Sequence, residues 1–174
     1  MADKEVIRDK NGLTEEEFLL QYDADKYPKP SLTADILVFR KTGDEVHLLM
    51  IRRNGHPYLG CLALPGGFAE LGETIEQTAA RELWEETRLS DQELKLTGVY
   101  SKPGRDPRGW TVSAAFAALV DGDRLQPVAS DDAASVHWLP LQRQNDGSYQ
   151  LVTEERLAFD HDEIIKDAIR IILG

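Results

Sequence analysis

Apolar positions follow two rhythms along this chain. The first is short and dense. "SLTADILVFR" (31–40) and "VHLLMIRR" (46–53) are rich in β-branched and apolar residues, and "KTGDE" between them has turn composition, so 31–53 predicts a β-hairpin. "CLALPGG" (61–67) predicts a short strand ended by a Pro-Gly-Gly break. "LKLTGVYS" (94–101), "WTVSAAFAALVD" (110–121) and "SVHWLP" (135–140) predict further strands. The second rhythm is helical. In "HDEIIKDAIRIIL" (161–173), Ile164, Ala168, Ile171 and Ile172 recur at helical spacing and predict an amphipathic helix. "TEEEFLLQY" predicts a short helix near the N-terminus, with Thr14 as N-cap and Glu17 closing a capping box. Strands mixed with two main helices predict an α/β sandwich around a mixed central sheet. Residues 1–30 read as a polar segment that ends in "YPKP", and 31–174 as one domain.

One predicted helix breaks the simple rule of an apolar inner face. Across 74–89, with Thr74 near the N-cap, Glu82, Glu85 and Glu86 share a face at i, i+3 and i+4. Ile75, Ala79, Leu83 and Leu89 fall in the same arc, about 160° wide. The opposite face carries Glu76, Gln77, Ala80, Arg81, Trp84, Thr87 and Arg88. The carboxylates therefore interrupt the stripe that should point inward. The simpler alternative is a solvated acidic face. Carboxylates clustered at a core edge repel one another and lose hydration, so they must protonate or find cations. Within the helix only Arg81 is close enough to help, and one guanidinium cannot neutralise three carboxylates. A hard divalent cation with oxygen ligands is the simplest remedy. The preceding "LPGGFAELGE" puts glycines where backbone turns sharply or approaches a ligand, and a carbonyl of Gly66 or Gly67 could join the same ion. Glu73 complements the helix dipole and can pair with Arg81.

Residues 67–89 resemble the signature of the Nudix hydrolases, G-x5-E-x7-R-E-U-x-E-E-x-G-U with U aliphatic. Gly67, Glu73, Arg81, Glu82, Leu83, Glu85, Glu86 and Leu89 fall on the pattern, and Arg88 stands where the family has glycine. The resemblance extends from the first strand to the tail helix. It implies hydrolysis of a nucleoside diphosphate linked to another group, with Mg²⁺ and Mn²⁺ as the metals to consider. Carried over, Glu82, Glu85 and Glu86 are expected metal ligands and catalytic residues, with Glu73 and Arg81 in support. Glu86 is the first expectation for the base, and Asp131 or Asp132 in "ASDDAAS" are loop candidates. "PSLTADILVF", "ALPGGF", "SKPGRDPRGW" and "LAFDH" resemble a group that includes ADP-ribose pyrophosphatases, whose products are AMP and ribose 5-phosphate. NADH, dinucleoside polyphosphates, sugar nucleotides and oxidised nucleotides are substrates the signature cannot separate from ADP-ribose.

Chemistry points to particular substrate contacts. Arg105 and Arg108 can grip phosphate oxygens bidentately, although "GRDPRG" also suits a solvated turn fastened by an Arg–Asp pair. Arg52 and Arg53 are further phosphate candidates, one of them facing solvent because neighbouring strand residues point opposite ways. Phe68, Tyr58 or Trp110 can stack on a base. Trp138 reads as core, and His161 as a helix-start residue. His56 has no metal-ligand spacing, and Trp84 on the outer helix face needs cover from a partner copy or the N-terminal segment.

Composition narrows the class. A length of 174 residues suits one core. The net charge of −11 opposes tight binding to a nucleic acid backbone. A single cysteine, Cys61 in an apolar run, excludes an internal disulfide. No apolar stretch reaches membrane-span length and "MADKEVIRDK" has no signal-peptide core, so a cytoplasmic protein is expected. Family likeness suggests a homodimer. Some relatives are ADP-ribose sensors that regulate transcription through a winged helix. The chain end at Gly174 and the complete set of glutamates favour the hydrolase.

Overall fold

The computed structural model describes residues 6–122 and 133–174. Among these lie three helices, α1 (Glu15–Gln21), α2 (Ile75–Thr87) and α3 (His161–Ile172). The strands are β1 (Ser31–Thr42), β2 (Glu45–Arg53), β3 (Leu62–Ala63), β4 (Gly66–Phe68), β5 (Lys95–Tyr100), β6 (Thr111–Asp121), β7 (Ala133–Arg143) and β8 (Tyr149–Leu151). They form one sheet of order β5-β6-β1-β2-β7-β8, with β3 beside β2 and β4 beside β1. β1 and β6 run parallel from Ser31↔Thr111 to Lys41↔Asp121, and the other pairs are antiparallel. The sheet is mixed, as expected.

Strand alternation makes the sandwich. In β1, Leu37 and Phe39 join a core with Ile164, Ile165 and Ala168 of α3, while Ala34, Ile36 and Val38 join one with Ala79 and Leu83 of α2. β2 divides likewise, with Leu48 and Met50 toward α3 and Leu49 toward α2. A strand covered on both faces needs apolar residues at every position, which is why 31–53 reads as dense runs.

The helix caps follow the sequence. Thr14 and Thr74 each accept from the N3 backbone while Glu17 and Gln77 return the bond, giving two capping boxes. α1 nevertheless buries no residue. α2 ends at Arg88 in the left-handed region, φ 61. That conformation favours glycine, which explains the family preference and shows that Arg88 preserves the turn at some backbone cost. Its guanidinium lies 4.4 Å from the exposed Trp84 ring.

Four expectations change. "CLALPGG" is two strands, because Pro65 breaks the ladder and the chain moves from β2 to β1. β8 was not foreseen; it is three residues long and carries no apolar run. α3 turns Ile164, Ile165, Ala168 and Ile169 inward and leaves Ile171 half exposed. Thr87 belongs inside, where its hydroxyl donates to the Leu83 carbonyl and accepts from the Leu89 amide. Asp131 and Asp132 lie outside the described residues.

Candidate active site

α2 places its three glutamates against the β4 turn, each with different surroundings. Glu86 is buried, and its Oε2 accepts from the Gly66 amide at 2.9 Å. Glu82 is part-buried and sits directly over Gly67, where an added Cβ would overlap its carboxylate. Glu85 is half exposed. Arg81, assigned to the outer face by the helical wheel, folds back along the helix. It bonds Glu73 through Nε (2.7 Å) and Nη2 (3.0 Å), Glu82 and Glu85 through Nη1 (2.8 and 3.0 Å), and the Phe68 carbonyl through Nη2 (2.9 Å). One guanidinium thus ties the helix start, two box carboxylates and β4 together.

The charges respond to this packing. Bonds from Arg81, assisted by the Glu70 amide and the Thr78 hydroxyl, hold the Glu73 carboxyl at about 2. Burial pushes the Glu82 carboxyl above its ordinary value, against the pull of Arg81. Arg81 itself is raised, chiefly by Glu73.

The turn before α2 has little freedom. A Cβ at Gly66 would collide with the backbone carbonyl of Ala34, so β4 lies flush on β1. The Ile36 amide donates to the Pro65 carbonyl at 2.8 Å. The Leu64 amide donates to Nδ1 of His161 at 2.9 Å.

Two cavities meet at Arg53, Gly67 and Phe68. The larger, about 510 Å³, is walled by Arg81, Glu82 and Glu86. The smaller, about 60 Å³, reaches down to Asp35, Arg105 and His161. Glu85 lines neither. Arg53 borders both; its Nε donates to the Pro57 carbonyl, and its terminal nitrogens make no hydrogen bond among the described residues. Burial and the nearby Arg108 lower its pKa, a sign of two crowded cations.

The predicted substrate residues divide. Arg52 points away from both cavities to Glu155 (2.6 Å) and the Gly60 carbonyl, and this corrects its assignment in favour of Arg53. Strand alternation forces one of the two outward, and nothing in the dipeptide says which. Arg105 is almost wholly buried at the floor of the smaller cavity and closes its fork on Asp160 (2.8 and 2.7 Å), so its bidentate face is turned to a carboxylate of the protein. Arg108 grips Asp106, with Nη2–Oδ2 at 2.7 Å, and its guanidinium lies 4.7 Å from the Phe68 ring and 5.4 Å from that of Phe159. The Arg–Asp fastening read from "GRDPRG" is present, but Asp106 is buried rather than solvated. Phe68 is partly exposed at the cavity junction, and Tyr58 packs against Phe159 at 4.8 Å. Trp110 is exposed in the 101–110 loop, His56 is exposed, and Trp138 is partly buried beneath Arg40. Cys61 packs at the edge of the Ile51–Ala63–Ala158 cluster.

Sequence reasoning missed Asp35 and Phe159, gave Asp160 no role at the site, and read Asp106 only as the fastener of a turn. Asp35 is buried, accepts from the Ser113 hydroxyl and faces His161 and Arg105, each at 3.5 Å. Burial raises its pKa, but these partners outweigh it and hold the carboxyl below its ordinary value. An acid inside the apolar run "TADILVF" was the available signal.

The residues fit a hard divalent cation in donor type. Arg81 takes one oxygen each of Glu82 and Glu85 and leaves the other, and burial of Glu82 favours a compensating positive charge. Among the described residues, no three carboxylate, imidazole or thiolate groups converge on one point, so a cation would draw the glutamates together.

The NUDIX domain profile matches residues 29–167. The chain is 40% identical over 144 residues to an ADP-ribose pyrophosphatase of Methanocaldococcus jannaschii, covering 83% of this chain and 76% of that protein. It is 30% identical over 160 residues to the ADPR responsive transcriptional repressor NtrR of Acinetobacter baylyi, covering 91% of this chain and 60% of the repressor. Among solved structures, a MutT/nudix family protein from Enterococcus faecalis superposes with TM-score 0.81 at 32% identity, over 92% of this chain and 70% of that one. The NUDIX domain of Shewanella oneidensis NrtR, complexed with ADP ribose, gives 0.77 at 32% identity, over 93% and 100%. Sequence, sheet and glutamate helix agree, and the chain belongs to the Nudix family.

Proposed function

We propose that the protein hydrolyses the pyrophosphate bond of a nucleoside diphosphate derivative, with ADP-ribose yielding AMP and ribose 5-phosphate. The observation that carries this reading is a single cavity lined by the box carboxylates Glu82 and Glu86 and by the Arg53 guanidinium. Similarity to the Methanocaldococcus jannaschii pyrophosphatase supports ADP-ribose as the substrate. Glu82, Glu85 and Glu86, with the Gly67 carbonyl, are the residues that would hold Mg²⁺, or Mn²⁺ in its place. Such an ion neutralises phosphate oxygens and activates water.

The chain's own groups do the rest. Arg81 fixes the rotamers of Glu82 and Glu85. Arg53 offers two donors to a phosphate, and that anion relieves its repulsion from Arg108. Asp106 holds Arg108 as a flat cation between Phe68 and Phe159. Phe68 supplies surface for the base, Tyr58 lines neither cavity and backs Phe159, and Glu86 is the proposed proton acceptor. The bare faces of α1 and Trp84 suit a homodimer.

A second reading, an ADP-ribose sensor, is favoured by similarity to the Acinetobacter baylyi repressor. One panel separates the two: ADP-ribose, NADH, a diadenosine polyphosphate, UDP-glucose and 8-oxo-dGTP with Mg²⁺ or Mn²⁺, products resolved by chromatography. Metal-dependent AMP release from ADP-ribose is expected. Turnover of another compound alone would discard the substrate, and tight ADP-ribose binding without turnover would establish the sensor.

A further inference from the structure

We infer that His161, at the start of α3, is a positioning residue that holds the Leu64–Gly67 turn, and through it Glu86, in the geometry that accepts a divalent cation. This rests on the reading of the box glutamates given above.

The segment before α3 runs along β3 as an added rung. Leu62 donates to the Arg156 carbonyl at 3.1 Å, and Ala158 donates to the Leu62 carbonyl at 2.8 Å. The next donor in that ladder is the Leu64 amide. Its residue is buried, so the amide requires a partner. Here the facing chain turns into a helix, and the Ala158 carbonyl, the next acceptor of the ladder, is already taken by the His161 amide at 3.2 Å. The imidazole of His161 fills the gap, with Nδ1 accepting from Leu64 at 2.9 Å. A nitrogen that accepts carries no proton, so the proton of the ring sits on Nε2, which faces Asp35 Oδ1 at 3.5 Å. Asp35 is in turn held by the Ser113 hydroxyl. The ring is thereby fixed in tautomer and orientation from behind.

The turn has only two amides between Ala63 and Gly67, since Pro65 has none. One is bound by His161 and the other, on Gly66, by Glu86. The turn is therefore a short rigid link between the imidazole and a box carboxylate. Gly66 lies flush against the Ala34 carbonyl, so the link cannot slide to compensate for a lost anchor. The N-cap reinforces this arrangement. Asp160 makes no side-chain cap to α3 and gives its carboxylate to Arg105, which also faces Asp35. The start of α3 is built to hold the turn rather than to cap itself.

The test uses His161→Leu, His161→Gln and His161→Asn. Asparagine places its oxygen near the position of Nδ1, whereas glutamine reaches the position of Nε2. Amide hydrogen exchange of the metal-free protein is the first readout. In His161→Leu the Leu64 and Gly66 amides should exchange at least about tenfold faster, with β1–β6 amides unchanged. Mn²⁺ affinity, read from the free-ion paramagnetic signal, should weaken about tenfold in the leucine and glutamine variants. In His161→Asn it should return to within about twofold of the unmodified protein. Equal acceleration of all amides, or unchanged Mn²⁺ affinity in a folded leucine variant, would overturn the inference. Failure of the underlying functional reading shows elsewhere, as absence of Mn²⁺ binding by the unmodified protein.

Discussion

α2 and α3 flank the same sheet, yet they bury different things. α3 presents Ile164, Ile165, Ala168 and Ile169, an apolar face interrupted only at its first residue, His161. α2 presents Thr78, Ala79, Leu83, Glu86 and Thr87, with Glu82 part-buried beside them. Each buried isoleucine stabilises the fold by roughly 1.5–3 kcal/mol. A buried carboxylate costs free energy unless it finds bonds, and here the bonds come from Arg81 and the Gly66 amide. The difference separates labour: α3 holds the fold, while α2 gives up part of its apolar face to hold chemistry.

Substitutions on the two faces should therefore fail in different ways. The largest effect is expected for Glu86→Gln. The amide oxygen can still accept from Gly66, so melting should be unchanged while kcat/KM for ADP-ribose falls by at least about 1,000-fold, or about 4 kcal/mol. Full activity in this variant would remove Glu86 from the metal site. Ile164→Ala should do the reverse, costing about 2–5 kcal/mol in denaturant unfolding and sparing activity per folded molecule. Gly67→Ala tests α2 from outside the helix. The new Cβ displaces the Glu82 carboxylate, and half-saturating Mg²⁺ should rise about tenfold with little change in melting.

Acid should loosen the α3 side through Asp35. Its folded pKa is depressed, so its contribution is present above the ordinary aspartate value of 3.8 and is lost as pH falls through the lower folded value. Unfolding followed from pH 5 to pH 2 should show this loss, and Asp35→Asn should abolish that part of the slope. The smallest effect is expected for Arg88→Gly. Relief of the left-handed backbone and loss of the Trp84 contact oppose each other, leaving less than about 1 kcal/mol by thermal unfolding.

Local rules made much of this legible. The hairpin, the Thr14 capping box and the helix of glutamates follow from short-range pattern, whereas Arg81 reaches Glu73, eight residues back and outside the helix, by folding along its surface. The rest depends on residues far apart in sequence. Arg105 reads as a phosphate ligand until Asp160, 55 positions on, closes its fork. Arg52 and Arg53 are equivalent as letters, and only the sheet decides which one enters the cavity. Thr87 lies on the polar side of an ideal wheel, but the Leu89 amide and the core claim its hydroxyl.

The bond from Leu64 to His161 spans 97 residues. A ribosome releases those two partners at different times. While the chain is being made, the hairpin and α2 can form from local contacts, but the turn between them lacks its anchor. The glutamates are synthesised early and organised last. Refolding experiments should therefore see native-like secondary structure before Mn²⁺ binding appears, because docking of α3 is the long-range step that completes the site.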